Sequence, residues 1–356
     1  MIIYKVGGIV RDSLMGLDSK DYDYVVIGAT PDEMKSLGYI QVGRSFPVFL
    51  QKNTKAEYAL ARTEQKTGNK HYDFQLDFNP NITLHDDLSR RDITINAMAM
   101  DNSGNLIDYF DGLFHLQIGL IKHVSGSFSD DPLRVLRVAR FSSNLAFAID
   151  PSTYTIMSTL GQINALRNVS VERVAQEINK TNQYKLYRFF LILHKTDNLK
   201  SILPQLDKQL HHKNNRFSLK QIIAQSGLLG IYCYHARYIK TDELHLIFKN
   251  SKRASDYLLI LQIYIIHDRL TKKLDIISKL IKLNIHRNYN SLLLICNIII
   301  THHNALRCNK ETVKNIINLI QNIMQTKLFL SNLSNADIHA AKIKQYKTII
   351  YNTINK

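Results

Sequence analysis

Asp21-Tyr22-Asp23 places two carboxylates at the head of the apolar run Asp23–Ile27 (DYVVI). On a strand, residues i and i+2 project from the same face, so both carboxylates can meet the same divalent cations. Oxygen ligands suit Mg²⁺, which keeps several waters and completes its shell with substrate phosphates. Such ions activate an attacking hydroxyl and stabilise the leaving oxygens of an in-line displacement. Most isolated Asp-x-Asp triplets are solvated turns, so the surrounding residues decide. Thirteen residues earlier, Gly7-Gly8 ends a short β-branched run and opens a helical pattern with Arg11-Asp12 in its first turn. Glycine backbone at a helix start lets N–H groups approach an anion, and Arg11 adds a charge-assisted contact; a plain structural turn is the alternative. Glu57, in the run Ala56–Ala61, is the candidate third metal ligand, against a reading as a surface glutamate.

Two further clusters have the right chemistry. Arg90-Arg91-Asp92 with Asn96-Ala97 precedes an apolar run. Paired arginines match the geometry of a triphosphate, and Asp92 and Asn96 can brace them or reach a sugar. Asp130-Asp131-Pro132 then starts a helix, Pro132 in its first turn and an aspartate as N-cap. Asp131, Arg134, Arg137 and Arg140 follow at steps of three, a drift of about 60° per step. Asp131 and Arg134 can therefore act together on one planar ligand with Arg137 nearby, while Arg140 lies nearly opposite Asp131 and does something else. The bland reading is a basic helix lying against RNA or acidic residues.

The elements that must hold these groups are α/β in the first ~110 residues. Strands are expected at Ile2–Val6, Asp23–Ile27, Phe46–Gln51 and Ala56–Ala61, and helices at Val10–Met15 and Pro31–Ser36, the latter capped by Thr30. Asp101–Asn105 is turn-rich and predicts a hairpin. The polar stretch Arg62–Asp77 reads as a long mobile loop, a feature that compact domains seldom keep without a function. From about Asp130 the apolar residues recur at three and four, predicting helices to the end.

The 356 residues contain 45% hydrophobic and 21% charged residues with only 14 Gly and 6 Pro, which excludes disorder and disfavours all-β architectures. No apolar run reaches ~18 residues, so no membrane partner is expected. The N-terminus has no signal pattern. Three widely spaced cysteines predict no disulfide partner and no zinc motif, which fits a reducing, cytoplasmic setting. Net charge is +16, unevenly spread: residues 1–150 hold 16 basic and 19 acidic side chains, residues 151–356 hold 30 and 11. A neutral front and a basic rear suggest a chemical head with a separate grip for a polyanion.

Gly7-Gly8-x-Val10-Arg11-Asp12, Asp21-x-Asp23, Arg90-Arg91-Asp92-x-x-x-Asn96-Ala97 and Asp131-x-x-Arg134-x-x-Arg137-x-x-Arg140-Phe141 occur in this order. Together they closely resemble the class II tRNA nucleotidyltransferases, the CCA-adding enzymes of the DNA polymerase β superfamily. The resemblance is dense over residues 1–145 and weak beyond. It implies an α+β chain: a polymerase-β-like nucleotidyltransferase head with a five-stranded sheet over residues 1–122, a helical neck over 123–200, and an all-α, tRNA-binding body and tail over 201–356. It implies Mg²⁺ at Asp21 and Asp23, triphosphate and ribose contacts at Gly8, Arg11 and Arg91, and base selection by Asp131 and Arg134 with Arg137 and Arg140 in the same pocket. Cytosine and adenine each show an amino donor beside a ring-nitrogen acceptor, and an Asp/Arg pair matches that edge and refuses uracil and guanine. The implied reaction is addition of CCA to tRNA from CTP and ATP. A poly(A) polymerase, a CC- or A-only enzyme and a non-catalytic RNA-binding protein are the alternatives. Larger relatives carry an HD phosphohydrolase domain; His235, His245 and His267-Asp268 do not make a convincing set, so that site is read as eroded or absent.

Overall fold

β-Branched and apolar residues nucleate the front sheet, and their alternation decides what covers it. The computed structural model describes residues 1–19, 22–42, 48–51, 56–66, 74–77, 79–238, 254–271, 283–325, and 344, 346, 348 and 349. They divide into two compact units, Met1–Asn182 with Arg188–Ile202, and Gln183–Tyr187 with Leu203–Lys356.

In the first unit, β1 (Ile2–Val6) is followed by α1 (Gly8–Leu14), β2 (Asp23–Ile27), α2 (Pro31–Ser36), β3 (Ile40–Val42), β4 (Val48–Leu50) and β5 (Glu57–Leu60). A ribbon of β6 (Thr63–Lys66) and β7 (Phe74–Asp77) leads to α3 (Leu84–Ser89), β8 (Met98–Met100) and β9 (Leu106–Asp108). The main sheet runs β3-β4-β5-β2-β1-β8-β9; β2 and β5 pair in parallel and the other pairs are antiparallel. Seven strands are thus described where the resemblance implies five, and the strands at both edges are three residues long. Val25 faces Leu84 and Leu88 of α3 on one side, while Val26 packs with Met34 of α2 and Phe49 on the other. Each such buried side chain contributes on the order of 1.5–3 kcal/mol. Thr30 caps α2 as expected: its Oγ accepts from Glu33 N at 3.3 Å and Glu33 accepts from Thr30 N at 2.6 Å. The Asp101–Asn105 hairpin forms, with the Asp101 carboxylate accepting from Ser103 N and Asn105 N.

The loop expected over Arg62–Asp77 is a correction. Thr63 pairs with Asp77 and Lys66 with Phe74 in an antiparallel ribbon. Its first strand, TEQK, has no apolar residue, and FQLD alternates only Phe74 and Leu76 inside a polar stretch, so the antiparallel ladder makes a structure that hydropathy announces on one strand alone. Gly68-Asn69 lie outside the described residues.

After α4 (Gly112–Gln117) and β10 (Leu120–Ile121), α5 (Leu133–Leu145) carries the arginine series, β11 (Ala148–Ile149) pairs with β10, and α6 (Pro151–Gln162), α7 (Val171–Lys180) and α8 (Leu186–Lys195) follow. The second unit holds α9 (Pro204–Leu210), α10 (Lys213–Tyr238), α11 (Ala254–Thr271), α12 (Ile285–Thr301) and α13 (Lys310–Gln325). Left-handed Gly227 (φ 56°) breaks α10, and Gln183 packs 3.0 Å from where a Cβ would stand. Cys233, Cys296 and Cys308 are buried and not joined in a disulfide, and burial pushes Cys296 up to about 12. Among the described residues no helix is long and apolar enough to cross a membrane.

Candidate active site

Gly7 has a left-handed φ of 76°, a conformation that favours glycine, and a Cβ there would stand 3.1 Å from Arg91 Nη1. A Cβ on Gly8 would stand 3.7 Å from Arg11 Nη2. Bare backbone at the start of α1 therefore lies against two guanidiniums, an arrangement suited to an anion. Arg11 is fixed by Asp12 Oδ1, 2.6 Å from Nη2, and by Asn96 Oδ1, 2.6 Å from Nη1. Arg91 Nη2 donates to Asp87 at 3.1 Å, and its buried Nε has no hydrogen-bond partner, so donor capacity remains. Burial raises the Asp87 carboxyl, but Arg90 and Arg91 outweigh it and hold it below its ordinary value.

From Asn96 the bonds continue to α5. Asn96 Nδ2 donates to Asp92 Oδ1 at 3.3 Å, and Arg137 Nε donates to Asp92 Oδ2 at 2.7 Å. Asp92 is buried; burial raises its carboxyl, yet Arg137 and Asn96, with Arg134 near, bring it down to about 2. Asp92 in turn raises Arg137. Arg140 Nε donates to buried Glu177 of α7 at 2.5 Å, and Arg137 stands 4.0 Å from the same carboxylate. Burial lowers Arg140 more than Glu177 raises it. Phe141 closes the circuit: the guanidiniums of Arg140, Arg11 and Arg137 lie 4.0, 5.1 and 5.6 Å from its ring centre, at cation–π distance. Arg140 thus takes a different partner from Asp131, which bonds Arg173, in keeping with its place nearly opposite Asp131 on the helix, and shares Glu177 and the Phe141 ring with Arg137 one turn before it.

Asp131 sits just ahead of α5, with Pro132 at the cap, one residue earlier than a first-turn proline. Its Oδ1 accepts from Leu133 N at 3.1 Å, and Oδ2 accepts from Arg173 of α7 at 2.7 Å. Arg134 donates to the carbonyls of Ser127 (2.8 Å) and Arg90 (2.6 Å), leaving part of its five-donor fork uncommitted.

Asp23 and Glu57 are register partners on parallel β2 and β5, so their side chains leave the same sheet face, and both are exposed. This all-oxygen pair fits a hard divalent cation. Asp21 lies outside the described residues. So do His245 and the side chain of His235. His267 donates or accepts at both ring nitrogens: Nδ1 is 3.1 Å from Asp268 Oδ1, and Nε2 accepts from Asn309 N at 3.1 Å. That backbone bond takes the lone pair a metal would need.

Glu177, Arg173 and Asp87 complete the site without being singled out in the sequence. Glu177 had a signal: it falls among buried Val174, Ala175 and Ile178 on the apolar side of α7, where an ionised group needs a partner.

Residues 3–122 match the family described as "Poly A polymerase head domain", and residues 146–210 match "Probable RNA and SrmB- binding site of polymerase A". The similarity thus runs well past residue 145. The chain is 50% identical over 212 residues to the CCA-adding enzyme of Actinobacillus succinogenes, covering 58% of this chain and 52% of that protein. It is 49% identical over 208 residues to the multifunctional CCA protein of Hahella chejuensis, covering 57% and 49%. The chain spans about half the length of the curated relatives it matches. Among solved structures, Bacillus stearothermophilus CCA-adding enzyme in complex with CTP superposes with a TM-score of 0.61 at 21% identity, covering 98% of this chain and 93% of that one. Thermotoga maritima CCA-adding enzyme complexed with tRNA-CCA gives 0.60 at 20% identity, covering 100% and 88%. These likenesses establish the α+β fold with a polymerase-β-like head.

Proposed function

We propose that this chain, whose residues 3–122 belong to the poly A polymerase head family, adds CCA to the 3′ end of tRNA from CTP and ATP without a nucleic-acid template. One observation carries the reading. The glycine cradle and the arginine helix are bonded into a single frame, from Arg11 through Asn96, Asp92 and Arg137 to Glu177 and Arg140. Groups suited to a triphosphate and groups suited to a base are thereby held at fixed separation, as one nucleotide requires.

Gly8, Arg11 and Arg91 receive the triphosphate. Asp131, oriented by Arg173, accepts from the exocyclic amine of C or A, and Arg134 donates to the adjacent ring nitrogen. Arg137 and Arg140 shape the pocket wall. The tRNA 3′ hydroxyl attacks the α-phosphorus, and the bond to the β-phosphate breaks to release pyrophosphate. Asp21 and Asp23, with Glu57 opposite Asp23 in the sheet, would hold Mg²⁺, which would supply activation of the hydroxyl and charge neutralisation. The head spans 1–122, the neck 123–200 and the RNA-binding body and tail 201–356, with no working phosphohydrolase site, in the cytoplasm.

The family description of the head also favours a second reading, poly(A) addition. One assay separates them: a tRNA lacking CCA is incubated with the protein, Mg²⁺ and labelled nucleotides, and the new 3′ end is sequenced. Arrest after CCA is the expected result. Long A tails, or addition of CC or A alone, would overturn it.

A further inference from the structure

Between Asp207 and Asp242 the sequence has no acidic residue, whereas Lys208, Lys213, Arg216, Lys220, Arg237 and Lys240 lie there. Before its break at Gly227, α10 is regular helix. At 3.6 residues per turn, Lys213, Arg216, Phe217 and Lys220 fall within about 100° of arc, and buried Leu219 and Ile222 face away from them. Lys213, Phe217 and Lys220 are exposed, Arg216 is half-buried, and the Phe217 ring is 63% exposed. None of these three cations is ion-paired among the described residues.

An exposed aromatic ring set among unpaired cations has the composition of a surface for unpaired nucleic-acid bases. Cations take the phosphates, and the ring takes the face of any base. We propose that the Lys213–Lys220 face of α10 binds RNA, with the three cations on backbone phosphates and Phe217 stacked on an unpaired base between them. The site lies directly after the matched segment 146–210 and in the strongly basic rear. It rests on the reading of this chain as acting on RNA. An anionic membrane would attract the same cations, but α10 turns Leu219 and Ile222 to the core and offers a bilayer a single ring, too little apolar surface for an interfacial helix.

The test uses the full chain and a fluorescent tRNA lacking CCA, with affinity measured over a series of KCl concentrations. Phe217→Ala is expected to weaken binding about 5-fold or more without changing the slope of log affinity against log salt. Phe217→Tyr is expected to restore it. The Lys213→Gln/Lys220→Gln pair is expected to flatten the slope by roughly 1.4–1.8, at ~0.7–0.9 per lost phosphate contact. CTP affinity and thermal melting are followed in parallel, and neither should move. The proposal falls if Phe217→Ala binds within 2-fold of the parent, if the double variant keeps the parental slope, or if anionic phosphatidylserine vesicles and not RNA are bound through Phe217. The two readings fail separately. A chain that ignores tRNA but binds poly(U) through Phe217 keeps this surface and loses the tRNA activity. Variants that bind and extend tRNA like the parent keep the activity and lose this surface.

Discussion

The front and the rear of this chain use positive charge in opposite ways. In the first compact unit, which carries the front, Arg11, Arg90, Arg91, Arg137, Arg140 and Arg173 each meet a carboxylate, and Asp87, Asp92 and Glu177 are buried beneath them. On α10 Lys213 and Lys220 stand exposed and Arg216 half-buried, none of the three ion-paired among the described residues. The residue types shift along the chain as well: residues 1–150 contain 8 lysines and 8 arginines, whereas residues 151–356, Arg173 included, contain 21 and 9. A planar guanidinium can bind a carboxylate and still present donors to a ligand, whereas a mobile ammonium serves mainly as a point charge. Pairing therefore costs the front little of its capacity to bind anions and fixes where they bind. Leaving charges unpaired gives the rear attraction to a polyanion without fixed geometry.

The sharpest way to divide the two regions is to remove chemistry while leaving the grip. Asp23→Ala is expected to lower incorporation of both C and A by roughly 10³-fold or more, with tRNA affinity unchanged at every salt concentration. A loss of binding of similar size would show that the front also supplies the grip. The next largest effect concerns pairing itself. Glu177→Ala leaves Arg140 and Arg137 without their shared buried carboxylate and should cost about 3–5 kcal/mol of folding stability, measured by urea unfolding. Parental stability would mean that the front arginines hold themselves in place.

How much of this was legible in the sequence depends on whether a residue acts locally or across the fold. Gly7-Gly8, Asp23, Thr30 and the Asp101–Asn105 turn act within a few residues, and spacing revealed them. Glu57 needed register: only the parallel pairing of β2 and β5 sets it beside Asp23. For Arg140, helix spacing gave the direction away from Asp131 and the neighbour Arg137, but not its partner Glu177, 37 residues on. The β6–β7 ribbon escaped because TEQK carries no apolar residue and the Phe74/Leu76 alternation of FQLD is only four residues long. Asp92 reads from the sequence as a brace for Arg90 and Arg91 or a sugar contact; it instead bonds Asn96 and Arg137, and Asp87 is the carboxylate that pairs with Arg90 and Arg91.

That bracing carboxylate makes the front sensitive to acid in a way the rear stripe is not. The folded-state Asp92 carboxyl lies at about 2, below its ordinary 3.8. Folding thus favours the deprotonated form, and the stability this group contributes is complete above pH ~4 and disappears as pH falls from ~4 to ~2. The gap corresponds to about 2 kcal/mol. Unfolding curves of the parent should steepen over that window relative to Asp92→Asn, and parallel curves would break the assignment. A smaller effect separates two arginines of the same helix. Arg134→Ala is expected to reduce the ratio of kcat/KM for CTP over UTP by about tenfold, one selective hydrogen bond. Arg140→Ala, tied to Glu177 and Phe141, should lower both nucleotides alike. The reverse pattern would move base selection to the other side of α5.

The smallest expected effect tests whether it is pairing or mere net charge that distinguishes the regions. Lys314 on α13 is an exposed rear lysine, but its ammonium stands 3.1 Å from Glu311, one turn away. An exposed pair of this kind contributes at most ~1 kcal/mol to folding, so Lys314→Gln should leave the melting temperature nearly unchanged. Its charge is also already partly offset by Glu311 beside it, so it has less to give to an RNA phosphate. The salt slope of tRNA binding should therefore stay at the parental value in Lys314→Gln and fall by ~0.7–0.9 in Lys220→Gln. Both substitutions remove one positive charge from the same half of the chain. If both flatten the slope equally, the rear attracts RNA through its total charge, and the contrast between paired and unpaired cations loses its functional meaning there.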